Sequence, residues 1–107
     1  MSKYLLKVSY TPDGIKGLMK EGGTSRVASV EKALAGVGGS VESFYFAFGT
    51  DDVYVIADVP DNATAMAIGA TIAASGSISR YETVVLLSPA EVDTALKTSI
   101  EYRPPGS

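Results

Sequence analysis

Two apolar stretches separated by a short polar turn dominate the pattern of hydrophobic and polar positions along the chain. The first runs from Ser40 to Phe48 and carries phenylalanine at alternate positions, and the second runs from Val53 to Val59 and is rich in β-branched residues. A period of two is typical of β-strands, and the residues from Gly49 to Asp52 have the composition of a turn. The pattern therefore predicts a β-hairpin over residues 40–59.

Both faces of this hairpin are predicted to be apolar. If Phe48 pairs with Val53, a core face carries Phe44, Phe46, Phe48, Val53, Val55 and Ala57. The second face then carries Val41, Ser43, Tyr45, Ala47, Tyr54, Ile56 and Asp58. A bulge in either strand would exchange the faces, because one extra residue reverses the direction of every side chain that follows.

The other predicted elements lie on both sides of the hairpin in the sequence. Alternation predicts strands over residues 3–10 and 78–87. Capping residues, prolines and glycines predict helices that begin at Thr11, at Thr24 or Ser25, at about Ala63 and at Ser88. The helix from about Ala63 to Ser75 is composed almost entirely of small and apolar residues, which predicts burial around most of its circumference.

The order β-α-β-β-α-β with an extra C-terminal helix is that of a ferredoxin-like fold. It predicts one α+β domain over residues 1–107, with a four-stranded antiparallel sheet, helices on one face, and an irregular tail over residues 98–107. The open face of the sheet is still apolar, through Tyr45, Tyr54, Ile56 and either Val84 and Leu86 or Val85 and Leu87. Since such a face is too apolar to remain in water, we expect a homodimer or higher homo-oligomer through it.

Composition narrows the possible chemistry. The chain has 107 residues, neither cysteine nor histidine, and a formal net charge of −3. It therefore lacks disulfides, thiolate nucleophiles, imidazole bases and ordinary transition-metal sites. Its scattered cations argue against nucleic-acid binding, and no apolar run reaches the roughly 18–20 residues that span a bilayer. We expect a soluble cytoplasmic protein with no metal, cofactor, nucleic-acid partner or membrane partner.

The turn and the flanking strands contain the candidate functional residues. Asp51 and Asp52 can act as a coupled acid–base pair or as oxygen ligands for Mg²⁺ or Ca²⁺, although bonding to their own backbone is the more frequent role of aspartate in turns. Tyr45, Tyr54 and Tyr81 can line a ligand cleft, or the first two can pack in a subunit interface. Arg80 can bind an anionic ligand or pair across an interface with Asp58 or Glu82.

Five segments carry a resemblance to a known family: Tyr4 to Thr11, Phe44 to Gly49, Asp52 to Val55, Pro60 to Ala63, and Leu86 to Val92. Through these segments the chain resembles the GYD domain family of small bacterial proteins. Gly49 and Asp52 correspond to the glycine and aspartate of the family motif, which makes Asp52 the catalytic candidate, while Asp51 stands where the motif has tyrosine. The resemblance implies a dimeric α/β-barrel architecture and little about activity. The wider superfamily includes cofactor-free monooxygenases, isomerases, haem-degrading enzymes and ligand-sensing modules, which is analogy of fold alone.

Three functions are compatible with these features. The first is a homo-oligomeric module that binds a small apolar or aromatic ligand between sheet and helices. The second is a cofactor-independent oxygenase or isomerase of a small aromatic substrate, in which Asp52 or a tyrosine moves a proton. The third is a purely structural assembly protein. A catalytic site should hold at least one carboxylate or phenol with a shifted pKa inside a cleft, and an assembly protein should show no pocket.

Overall fold

Eight elements follow one another in the computed structural model, which describes residues 1–107. They are β1 (Ser2–Tyr10), α1 (Pro12–Glu21), α2 (Gly23–Ala35), β2 (Ser40–Phe46), β3 (Val53–Val59), α3 (Asn62–Ala74), β4 (Ile78–Leu86) and α4 (Pro89–Leu96). Residues 98–107 form no helix or strand. None of the helices has the length and apolar character needed to cross a membrane.

The four strands form one sheet in the order β2-β3-β1-β4, and every neighbouring pair is antiparallel. Helix α2 lies over the edge strand β2, and α3 lies over the opposite edge strand β4. The predicted ferredoxin-like α+β fold is confirmed. Its consequence for function is that the two middle strands lie beneath the gap between α2 and α3.

Helices α1, α3 and α4 begin where their capping residues predict, whereas α2 begins at Gly23 and not at Thr24 or Ser25, and no side chain caps its start. The Thr11 hydroxyl accepts a hydrogen bond from the backbone N–H of Gly14 at the start of α1, with Pro12 in the first helical position. Asp61 caps α3, and Ser88 forms a reciprocal capping box with Glu91 in α4. Each cap satisfies a backbone N–H that has no partner within its own helix, so local chemistry defines these helix starts.

The core lies between the sheet and the helices. Its buried apolar side chains are Tyr4, Leu6, Val8, Leu34, Val53, Val55, Ala57, Val59 and Ala65. The middle strand β3 alternates buried and half-buried residues along its whole length. This alternation follows from the pleat, which directs successive side chains to the helix-covered face and to the open face in turn.

The hairpin register differs from the prediction by two residues. Val53 pairs with Phe46 and not with Phe48. A shift of two preserves the predicted face of Phe46, but Phe48 lies in the loop and is fully exposed, so its assignment to the core was wrong. Residues 47–52 form this longer loop, which closes through a hydrogen bond from the Ala47 N–H to the Asp52 carbonyl.

A β-bulge in β2 corrects the predicted position of Val41. The register shifts between Val41 and Ser43, so that Val41 lies opposite Ala57 and packs against the core. It was wrongly predicted to lie on the second face, because a bulge moves only the residues on one side of it. The residue left outside the ladder, Glu42, accepts a hydrogen bond of 2.8 Å from the Lys3 ammonium group.

Helix α3 is less buried in the single chain than its composition predicted. Only Ala65 and Gly69 are buried, while 71% of Met66 is exposed. The prediction of near-complete burial was wrong because the fold has a single layer of helices, and α2 lies over the other edge of the sheet. An apolar helix face therefore remains on the surface.

Candidate functional site

A cleft of about 260 Å³ opens between α2, α3 and the middle of the sheet. Most of its wall is apolar and includes Leu6, Val8, Val30, Phe44, Val55 and Ile72. A second space of about 240 Å³ continues between the two helices and shares Arg26, Val30, Leu34, Thr71 and Ile72 with the first. The cleft exists because α2 and α3 cover opposite edges of the sheet and leave its centre to be lined by side chains.

Tyr81 on β4 lines the cleft and carries a buried hydroxyl. The hydroxyl oxygen is inaccessible to solvent and has no hydrogen-bond partner. Burial raises the pKa of Tyr81, and the nearby Thr83 side chain opposes this weakly without forming a regular hydrogen bond. The phenol therefore remains protonated at neutral pH and is available as a hydrogen-bond donor.

Gly69 on α3 fixes the position of the Tyr81 ring. A Cβ atom at Gly69 would lie 2.9 Å from the ring carbon Cε1 of Tyr81, closer than a side chain tolerates. Only glycine lets α3 approach the ring this closely. Tyr81 was predicted as a ligand-binding residue but its contact with Gly69 was not, although a glycine in the middle of an apolar helix often indicates a close contact.

Tyr10, Arg26, Thr71, Ser75 and Ser77 also bring polar groups to the residues that line this cleft. Burial raises the pKa of Tyr10, and the positive charge of Arg26 partly offsets that effect. The Arg26 guanidinium lies 3.4 Å from the Glu21 carboxylate, so its charge is already paired at the cleft wall. Arg26 was not predicted, although it lies four residues before Val30 of the apolar stripe and therefore on the same side of α2.

Asp51 lies in a cluster of charges on the opposite side of the sheet. Only 1% of Asp51 is exposed, and its Oδ1 atom accepts a hydrogen bond of 3.0 Å from the Ser9 hydroxyl. The Lys7 ammonium is 3.7 Å from Oδ2, and the Arg80 Nε is 3.8 Å from Oδ1. Lys7 also lies 3.5 Å from the Glu82 carboxylate. We call Lys7, Asp51, Arg80 and Glu82 the charged cluster.

The prediction that Asp51 bonds its own backbone in the turn is wrong. The carboxylate does not bond its own backbone but reaches the side chains of β1 and β4. Its Oδ2 atom is buried without a hydrogen bond. A carboxylate removed from water is stabilised here by two nearby cations, which the aspartate-rich turn did not reveal by itself.

Asp52 holds the loop against the end of β1. Its Oδ2 atom accepts a hydrogen bond of 2.9 Å from the Tyr10 N–H, and its own N–H donates to the Val8 carbonyl at 2.9 Å. The carboxylate is half-buried and does not line the cleft. These two hydrogen bonds give Asp52 a structural role in fixing the loop, and its catalytic role stays a prediction.

The predicted ligand-binding residues are divided between the two faces of the sheet. Tyr81 lies on the helix-covered face and lines the cleft. Tyr45 and Tyr54 pair with each other on the open face, where Arg80 also lies. Arg80 pairs with Asp51 of its own chain, while Lys3 lies 2.9 Å from Asp58. The structure therefore does not bring these four side chains into one site.

One family model matches the chain, and it is described as the GYD domain. The match covers residues 4–96, which is most of the sequence. No curated protein and no solved structure matches the chain. No group of three or more acidic side chains is close enough together to hold a metal ion.

Proposed function

The chain belongs to the GYD domain family, and we propose that it is a homodimeric binding protein for a small apolar or aromatic molecule. The observation that carries this proposal is the unpartnered, buried hydroxyl of Tyr81, whose residue lines a mostly apolar cleft. A buried polar group without a partner is costly, so a ligand that enters deeply enough to reach this hydroxyl and accept its hydrogen bond recovers stabilisation that the empty cleft lacks.

The volume of the cleft limits the size of the ligand. An apolar cavity of about 150 Å³ holds one benzene ring. The cleft of about 260 Å³ is therefore suited to one or two fused rings. Its apolar walls supply most of the binding free energy through desolvation, and one hydroxyl orients the ligand.

The chemistry of Tyr81 favours binding over proton transfer. Its raised pKa keeps the phenol neutral, so it donates to a carbonyl, ether or phenolic oxygen of the ligand and is a poor base at neutral pH. Asp52, the carboxylate suggested for an enzyme, is occupied by the Tyr10 N–H outside the cleft. A cleft of this size also distinguishes a binding protein from one whose sole function is assembly.

The open face of the sheet supports the homodimer. Leu5 pairs with Ile56 on one side and with Val84 on the other, which places an aliphatic strip across three strands. On the β2 side, 71% of Tyr45 is exposed. Cations and carboxylates alternate around this strip and pair within the chain. These pairs contain three cations and four carboxylates, so the face carries little net charge and can meet a second copy of itself with little repulsion.

A fluorescence titration with 2-naphthol tests the cleft. The chain has no tryptophan, so naphthol emission is observed without protein background at its excitation wavelength. We expect saturable binding, and Tyr81→Phe should weaken it by about tenfold, the effect of losing one hydrogen bond of about 1.4 kcal/mol. Tyr102→Phe, which alters an exposed tail residue, is the matched control and should bind normally.

Filling the cleft gives an independent test. Ile72→Trp introduces a large ring into the cleft wall and should abolish 2-naphthol binding. Ala28→Trp adds the same ring to an exposed position of α2 that does not line the cleft, and should leave binding intact. Equal loss of binding in both variants would refute the cleft as the site.

A further inference from the structure

One row of side chains on the open face changes in chemistry from one edge of the sheet to the other. Tyr45 on β2 pairs with Tyr54 on β3, Tyr54 pairs with Lys7 on β1, and Lys7 pairs with Glu82 on β4. Two phenols therefore occupy one half of the row, and two charged groups occupy the other half. We call these four residues the transverse row.

The two ends of the transverse row lack hydrogen-bond partners in the single chain. The Tyr45 hydroxyl makes no hydrogen bond, although 71% of the residue is exposed. The Glu82 carboxylate accepts none either: its Oε1 atom is buried near the Lys7 ammonium, and 39% of the side chain is exposed. A phenol that can donate and a carboxylate that can accept thus lie at opposite edges of one face.

A two-fold axis can relate two such faces in two simple ways. An axis parallel to the strands reverses the row, so that β2 faces β4 of the partner subunit. An axis across the strands instead places each strand over the same strand of the partner subunit. The second arrangement places β2 on β2 and β4 on β4, so that Tyr45 of one subunit and Glu82 of the partner subunit lie at opposite edges of the interface and cannot meet. Only the first arrangement brings the Tyr45 hydroxyl of one subunit towards the Glu82 carboxylate of the partner subunit.

We propose that the open faces pair about an axis parallel to the strands, with the Tyr45 hydroxyl donating to Glu82 of the partner subunit. The inference rests on the homodimer of the proposed function and adds its orientation and its specific polar contact. The two-fold axis generates this contact twice, once at each side of the interface. Tyr54 then lies over Lys7 of the partner subunit, an arrangement that favours a cation–π contact. The charged half of each sheet is thereby covered by the aromatic half of the other.

Linking single cysteines tests this orientation directly, because the natural chain has none. The two variants are Tyr45→Cys and Glu82→Cys, treated with a short bis-maleimide, since facing sheets are about 10 Å apart and too distant for a disulfide. An equimolar mixture should give linked dimers in high yield, and either variant alone should give few. In the mixed dimer one natural Tyr45–Glu82 contact remains intact. Efficient linking of either variant with itself, without linking in the mixture, would overturn the proposed axis.

Light scattering of the unmodified chain separates this inference from the proposed function. A monomeric mass would reject the homodimer and with it the orientation, whereas a dimeric mass with the wrong linking pattern would reject the orientation alone. Tyr45→Phe should raise the dimer dissociation constant by at least tenfold, and Glu82→Gln should do so to a smaller extent. The double variant should show less than the combined effect, since both changes remove the same hydrogen bond. Additive effects would contradict the Tyr45–Glu82 contact.

Discussion

The two faces of the sheet differ in how far their own chain buries their side chains. On the helix-covered face, Tyr4, Leu6 and Val8 are buried by helices of the same chain. On the open face, the next residues along the same strand, including Leu5 and Lys7, are half-buried at best. One strand thus contributes alternately to a completed core and to a surface that its own chain leaves uncovered.

This difference assigns the polar groups of the two faces to different roles. The unpartnered hydroxyl on the helix-covered face belongs to Tyr81, which lines a cleft of about 260 Å³ where a small molecule fits. The unpartnered groups on the open face lie on a broad surface, where another sheet fits better than a small molecule. The same kind of observation therefore supports a ligand on one side and a protein partner on the other.

The largest effect on stability is expected from the core of the helix-covered face. Leu34 on α2 is 1% exposed, so Leu34→Ala should lower the free energy of unfolding by about 3 kcal/mol through lost contacts and a new cavity. Urea denaturation measures the change. Val37→Ala, at a position that is 44% exposed, is the control and should cost about 0.5 kcal/mol. Similar losses of unfolding free energy in the two variants would show that α2 is not packed against the sheet as described.

A smaller loss should follow from neutralising the buried carboxylate of the open face. Asp51→Asn keeps an acceptor for the Ser9 hydroxyl but removes the counterion of Arg80 and one of the two carboxylates beside Lys7. We expect a cost of about 2 kcal/mol, below the range for fully buried pairs because both cations are partly exposed. Chemical denaturation in low salt measures it.

Asp52→Asn is the matched control for that change. The amide oxygen of asparagine can still accept the hydrogen bond from the Tyr10 N–H, so the cost should stay below about 1 kcal/mol. If Asp52→Asn proved the more damaging of the two, the neighbouring carboxylates would have the reverse of the roles described for them.

The smallest effect at neutral pH, but a distinctive one in alkali, is expected for Tyr81→Phe. Burial raises the pKa of Tyr81 in the folded chain above 10.0, so the folded state retains a proton that the unfolded state releases. The contribution of Tyr81 to the free energy of unfolding is therefore fully present below about pH 10 and decreases as the pH rises above it. Unfolding free energies at about pH 8 and about pH 10.5 should show a shallower decrease for the variant.

Tyr10 should keep part of the alkaline loss of stability in Tyr81→Phe, and Tyr102→Phe is the control variant. Burial also raises the pKa of Tyr10, so Tyr81→Phe should reduce the alkaline loss of stability without removing it. Tyr102→Phe alters an exposed phenol and should keep the full slope. An unchanged slope in Tyr81→Phe would mean that this phenol is as accessible as one in the tail.

Local patterns were sufficient to predict the fold. Alternation identified the buried side of β1, and capping residues such as Thr11 and Ser88 located the helix starts, because both signals depend on neighbours within a few residues. The register of the hairpin was not local. It depends on Asp52 bonding to β1, which lengthens the loop and excludes Phe48 from the strand.

The candidate sites were predictable only in part, for the same reason. Tyr81 was identified, but its separation from Tyr45 and Tyr54 depends on the face that β4 presents to β1. The burial of Asp51 depends on three strands meeting, with Lys7 and Arg80 arriving from distant segments of the chain. Residue types indicate what a side chain can do, and long-range register determines whether it has the neighbours to do it.

We propose that one face of the sheet holds a ligand while the other holds a second copy of the chain. Sedimentation equilibrium with 2-naphthol, monitored at the naphthol absorbance, reports the mass of the species that carries the ligand. We expect twice the chain mass of 11.1 kDa, with Ile72→Trp removing the naphthol signal from the dimer. Naphthol that remains unsedimented, or that sediments with a species of 11.1 kDa, would contradict it.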